Sequence, residues 1–327
     1  MNYKNYLSQS NNIKPNYSNL ISECLVDYFI GKGHKNPFDI NTTIYNKVCS
    51  IYLPKCNQNE VTEYLFDNLF WVMNTLTKIN FFEKNFISYD DYMSYGTYYG
   101  YGTKETIEKL PKGKVLSNDI IKNIESINDD SYEYSVWLTY NTEKDEISKV
   151  NIYTTGKLIK SEILEIINNL SHIEEDNIKI VQVDTFEPTL TTNDTLKYYF
   201  NEIPTSNTHM IGKDPNHPSR ILPLYLRYIS KNLVSSSLMD KCLITLNYHQ
   251  DNIVPHSINI NDYGTSIYNE RDIYSCFMDV FPLSLKEIKL EIDFNQTIYK
   301  ESCLENYFFK DTLPWESTTK AKDLILF

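Results

Sequence analysis

The sequence predicts an α+β fold, and three observations carry that prediction. Segments rich in β-branched and aromatic residues come in twos; each pair is followed by a stretch with helical spacing; and several return strands carry a Lys-x-Tyr or Lys-x-x-x-Tyr step. The pairs are 133–140 with 149–154, 177–184 with 195–200, 242–248 with 257–261, and 287–294 with 303–309. Neighbouring strands of this kind pair as antiparallel hairpins. A series of such hairpins, each followed by helices, either closes into a barrel with helices outside or lies open as an α+β sheet.

In chain order, residues 1–16 are polar and read as loose. From 17 to about 82 the reading is mainly helical: Val61, Leu65, Leu69, Val72, Met73 and Leu76 recur at three- to four-residue spacing, and Pro37 and Pro54 separate the helices. The aromatic, glycine-containing stretch 84–104 fits either a strand with a turn or a packed loop, and 105–130 is again polar and helix-like. From about 131 the pattern is β-β-α, with helical spacing over 160–172, 220–240 and 269–281. The expectation is one domain over 1–327, its first 130 residues largely helical and the rest repeated β-β-α units.

With 327 residues the chain can bury a substantial core, and its net charge of −12, with no run of Lys or Arg, argues against nucleic-acid or anionic-membrane binding. Six scattered cysteines without a Cys-x-x-Cys step read as reduced thiols of a cytoplasmic protein. Nothing approaches a transmembrane span. Tyrosine is in surplus, 27 against 15 Phe, which suits the walls of wet or ligand-filled cavities. No metal set is read from the sequence: His249 and His256 bracket a turn with no third ligand, and Asp90 and Asp91 lack a further Asp at helical spacing.

Because side chains alternate along a strand, Lys149, Asn151 and Tyr153 share one face, as do Lys197 and Tyr199. A cation and a phenol on one wall suit an anionic ligand whose other end is apolar. Three stretches carry a family resemblance. KCLITLNYHQDNIVPHSININDYG (241–264) resembles a late strand-turn-strand of the aromatic prenyltransferases of the dimethylallyltryptophan synthase type. IKIVQVDTFEPTLTTNDTLKYYFNEI (178–203) is similar to their middle unit, and SVWLTYNTEKDEISKVNIYTTG (135–156) to a unit whose second strand carries Lys-x-Tyr-x-Tyr.

That resemblance implies an ABBA (PT) barrel of ten antiparallel strands with an outer ring of helices. It implies transfer of a dimethylallyl or longer prenyl group from its diphosphate to an indole, phenol or peptide aromatic side chain, through an allylic carbocation. By the same resemblance Glu133 is the base, and Lys149, Lys197 and Asn259 hold the diphosphate. Asn151, Tyr153, Tyr199, Tyr248 and Tyr307 line the prenyl and aromatic pocket. The partners would be a prenyl diphosphate and an aromatic small molecule or peptide. Mg²⁺ stays open, since some members of the family need it and others do not. Thr195 stands where the family has Arg, and Asn151 and Asn259 where Tyr, Lys or Gln is usual. The alternative is a catalytically silent barrel or α+β module that binds a hydrophobic ligand or a protein.

Overall fold

The computed structural model describes residues 3–9, 17–84, 96–104, 112–127, 132–171, 173–184, 210–248, 254–304, 307–308 and 310–324. The chain divides into two compact units, one built on described residues of 3–9 and 112–184, the other on those of 17–104 and 210–324.

The first unit is a four-stranded sheet with two helices on one face. Strand β1 (Tyr3–Gln9) pairs antiparallel with β6 (Tyr134–Asn141), β6 antiparallel with β7 (Glu146–Thr154), and β7 parallel with β8 (Ile178–Gln182). The β6–β7 turn is set by Asn141, whose Oδ1 accepts the N–H groups of Glu143 and Lys144, and by Asp145 at φ 57°. A parallel pair needs a crossover, which helix α4 (Lys160–Leu170) supplies. Isoleucines four apart, 120 and 124 on helix α3 (Lys112–Ile127) and 163 and 167 on α4, form apolar stripes against Val136, Leu138, Val150 and Ile152.

The second unit carries two three-stranded sheets. In one, β2 (Asn41–Tyr45) and β3 (Val48–Leu53) form a hairpin whose two turn residues, Asn46 and Lys47, both have positive φ. Helix α2 (Gln58–Met73) then carries the chain over to β4 (Lys78–Glu83), parallel to β3. In the other sheet β9 (Lys241–Tyr248) lies between β5 (Gly96–Thr103) and β10 (Ser257–Asn261), all antiparallel. Cys242, Ile244, Leu246 and Tyr248 alternate inward. Helix α5 (Pro218–Ser235) packs on that face, buried along nearly its whole length. Helices α1 (Tyr17–Gly31), α6 (Glu270–Val280) and α7 (Leu285–Glu291) and the short α8 (Tyr299–Leu304) complete the helices of the unit.

The ABBA barrel expectation is overturned here. The ten described strands fall into three separate sheets, two of which contain a parallel pair, and among the described residues none closes on itself. The hairpin expected from 287–294 with 303–309 is instead α7 and α8. Residues 195–200 lie outside the described residues, and β8 pairs with β7. The region read as mainly helical holds three strands besides α1 and α2, and the polar start of the chain holds β1. The β6–β7 and β9–β10 pairs and helices α4, α5 and α6 stand where the sequence pattern puts them.

Candidate functional site

A cluster of charge whose cations keep partial exposure lies in the second unit, around Asp39. This residue precedes β2, with its carboxylate only 4% exposed, and its Oδ2 accepts from Lys84 Nζ at 2.8 Å and pairs with Lys213 Nζ at 3.0 Å. Asn41 adds a longer contact at 3.4 Å, while Oδ1 is buried without a hydrogen-bond partner. Burial pushes the Asp39 carboxyl up, but the hydrogen bonds and charges of the two lysines outweigh it and leave it below the usual carboxylate range. The lysine side chains are less buried than the carboxylate, Lys84 at 35% and Lys213 at 19% exposed.

The turn that presents Lys213 is fixed from below. Gly212, at φ +72°, donates its N–H to Glu23 Oε1 at 2.7 Å, and its carbonyl accepts from Ile40 N at 2.8 Å. A Cβ at this glycine would collide with the Ile40 carbonyl. Arg220, from the first turn of α5, donates Nε to the Lys213 carbonyl at 2.9 Å and binds Glu23 through both terminal nitrogens at 3.0 and 2.8 Å. Both side chains of that pair are fully buried, so the bidentate geometry is what makes the burial tolerable. His217 caps α5, its Nδ1 accepting Ser219 N at 3.1 Å, which places the neutral ring's proton on Nε2. Burial, with the charge of Lys213, pulls its pKa down to about 4, so it is neutral at pH 7. Burial pulls the pKa of Lys289, on α7, down as well, against the opposing charge of Asp214. The cluster thus gathers more positive than negative charge beside a partly open surface, an arrangement suited to a multiply charged anion.

Comparison with known proteins bears on this same region. Residues 189–317 match the family "S-adenosylmethionine synthetase, C-terminal domain". The S-adenosylmethionine synthase of Helicobacter pylori strain P12 is 34% identical over 118 residues, and that of Helicobacter acinonychis strain Sheeba 32%. These alignments cover 36% of this chain and 31% of each relative, so the chain spans about a third of the length of the curated relatives it matches. A solved structure of an unusual S-adenosylmethionine synthetase from Campylobacter jejuni aligns over 99% of both chains, with a TM-score of 0.75 and 13% identity. The fold is that of an S-adenosylmethionine synthetase.

These findings overturn the prenyltransferase resemblance and what it implied: the barrel, the prenyl transfer, and a prenyl diphosphate with an aromatic acceptor as partners. The silent-module alternative gains nothing from them. The resemblance misled because alternating strands with Lys and Tyr on one face occur in any half-exposed sheet.

The sequence-predicted site residues are dispersed. Lys149, Asn151 and Tyr153 do share one face of β7, opposite the core residues Val150 and Ile152. Lys149 is exposed across from Thr139, Asn151 faces Trp137 with its Oδ1 buried and unpartnered, and Tyr153 faces Ser135. Glu133 is half-buried, and its backbone is tied to Thr155 by two hydrogen bonds. In the second unit, Tyr248 is buried on the inner face of β9, its hydroxyl donating to the Leu283 carbonyl at 2.8 Å, while Asn259 is exposed on β10 opposite Thr245. Tyr307 is buried, and its carbonyl accepts Trp315 Nε1. Lys197 and Tyr199 lie outside the described residues.

Sequence reasoning passed over Asp39, Lys84, Lys213, His217, Glu23 and Arg220. One signal was available: Gly-Lys-Asp-Pro followed by His-Pro at a helix start, a constrained turn that aims a lysine.

Proposed function

We propose that this chain is an S-adenosylmethionine synthetase-like enzyme, joining methionine to the adenosyl group of ATP. The observation that carries this reading is the family match over 189–317, which contains the Gly212–Lys213 turn and all of α5, on a fold shared along the whole chain. In this reaction the thioether sulfur of methionine attacks C5′ of ATP. A C–S bond forms, the C5′–O bond breaks, and the sulfur becomes a sulfonium while triphosphate leaves with the bonding pair. The chemical demand on the protein is to hold that leaving group and stabilise its growing negative charge. Lys84 and Lys213 are assigned to that task, since both are partly exposed cations held on one buried carboxylate.

A nucleoside triphosphate brings Mg²⁺ with its phosphates. No group of three or more His, Cys, Asp or Glu side chains that could hold a metal ion is found among the described residues, and Asp39 already serves two lysines. No step here is assigned to a resident metal. No helix among them is long and apolar enough to cross a membrane.

The test is to incubate the purified full chain with ATP, methionine and Mg²⁺ and to follow S-adenosylmethionine and released phosphates by mass spectrometry. The expected result is methionine-dependent product, reduced about 10²-fold by Lys213→Ala, the scale for losing one charge-stabilising donor. No product from the parent chain under any nucleotide or salt condition would sink the reading.

A further inference from the structure

The two lysines assigned to the triphosphate come from distant parts of the chain, Lys84 just after β4 and Lys213 from the turn before α5. What they have in common is a single carboxylate oxygen. We propose that Asp39 is a positioning residue that locks Lys84 and Lys213 into one two-ammonium fork for the polyphosphate of a nucleotide; this rests on the function proposed above.

Geometry comes first. With both Nζ atoms bound to Asp39 Oδ2, at 2.8 and 3.0 Å, they stand at most about 5.8 Å apart, the two contacts laid end to end. That span suits oxygens of one phosphate or of two adjacent ones. Each ammonium has three N–H donors and spends one on Asp39, leaving two for a ligand. Electrostatics holds the lysines in place. Asp39 is buried and its Oδ1 has no partner, so its charge is balanced through Oδ2. A ligand that drew both lysines away would leave a buried, unpaired carboxylate, which is strongly unfavourable. The lysines therefore stay on Asp39 and meet the anion in place, and the fork keeps a surplus positive charge.

The backbone around the fork is rigid. Asp39 and Lys213 are joined by an antiparallel bridge, and Asp214 N donates to the Phe38 carbonyl. Both backbones are therefore fixed before any ligand arrives. Glu316 likewise pairs with two cations, Arg227 and Lys231, but all three of those side chains are buried; at Asp39 both lysines keep partial exposure, which a ligand site requires.

The experiment is calorimetric titration of the full chain with inorganic tripolyphosphate, run alongside the synthesis assay on Asp39→Asn, Asp39→Glu and Lys84→Met. Tripolyphosphate is expected to bind the parent, with affinity falling about tenfold or more in Asp39→Asn, recovering in part in Asp39→Glu, and falling several-fold in Lys84→Met. KM for ATP should rise with these variants while KM for methionine stays level, a split that mere destabilisation would not produce. Should Asp39→Asn fail to fold, Lys84→Met still decides the matter, since it leaves Asp39 paired with Lys213. Tripolyphosphate binding within threefold of the parent in the folded variants, or none by the parent, would overturn the proposal. Loss of tripolyphosphate binding in the variants with no S-adenosylmethionine from the parent would keep the fork and reject the synthetase reading.

Discussion

Gly212 shows how much of the site depends on one missing side chain. Its positive φ and the close approach of the Ile40 carbonyl together exclude a Cβ, and its N–H is held by a buried carboxylate. Gly212→Ala should cost roughly 2–4 kcal/mol in chemical denaturation. Gly264, also at positive φ but with nothing within 4 Å, supplies the contrast: alanine there should cost about 1 kcal/mol. Equal losses at the two positions would mean that backbone conformation alone, and not the packed turn, sets the penalty. Glu23→Gln should be costlier still, about 3–5 kcal/mol, because it strands the Arg220 guanidinium in the interior. At this scale the sequence shows a lysine after a glycine, but not its partners. Glu23, Asp39 and Lys84 are far from Lys213 along the chain, and no local period connects them.

Among the elements, β5 and α5 fit together through glycine. Cβ atoms on Gly100 and Gly102 would run into the α5 backbone, at Leu226 for the first and within 2.7 Å of the Ser230 carbonyl for the second. The alternation Gly-x-Gly on the inner face is therefore a groove for a helix. Gly100→Ala should lower the melting temperature by several degrees or abolish soluble expression, whereas Gly33→Ala, in open space, should leave the chain soluble. A Gly100→Ala protein that melts with the parent would refute the groove. The strand expected at 287–294 failed for a legible reason. Ile288 and Ile292 are four apart, a spacing that fits period 2 and period 3.6 alike. Ile288 in the helix and Ile292 just past its end are both buried, while Leu290 between them is 82% exposed. Ser284, capping Glu287 N, was the deciding local sign. Helix α8 had none in its neighbourhood: Asp27, from α1, accepts the N–H groups of Tyr299 and Lys300.

The stability of the whole molecule should carry two opposing pH dependences. His217 is held near pKa 4 by burial, below the ordinary 6.5, so the unfolded chain takes up its proton first and stability falls as pH drops from 6.5 towards 4. Asp27 is raised by burial to about 6 from 3.8, so the folded chain takes up that proton first and stability rises as pH drops from 6 towards 4. Each contribution is on the order of 2–3 kcal/mol, and over the shared window they largely cancel. Melting temperatures between pH 4 and 7 should therefore be nearly flat for the parent, rise on acidification for His217→Gln, and fall for Asp27→Asn. Parallel slopes in the two variants would show that neither group controls the profile.

By itself the sequence determined the local grammar of this protein: the β6–β7 and β9–β10 hairpins, the helices α4, α5 and α6, and the shared face of Lys149, Asn151 and Tyr153. These follow from side-chain period and short loop closures, which neighbouring residues settle among themselves. Only the tertiary structure decided that β3 with β4 and β7 with β8 run parallel, that the sheets stay open, and that Asp39, Lys84 and Lys213 meet. Parallel pairing and buried ion pairs join segments far apart in the chain, and alternation says which face of a strand is apolar but not which strand lies beside it.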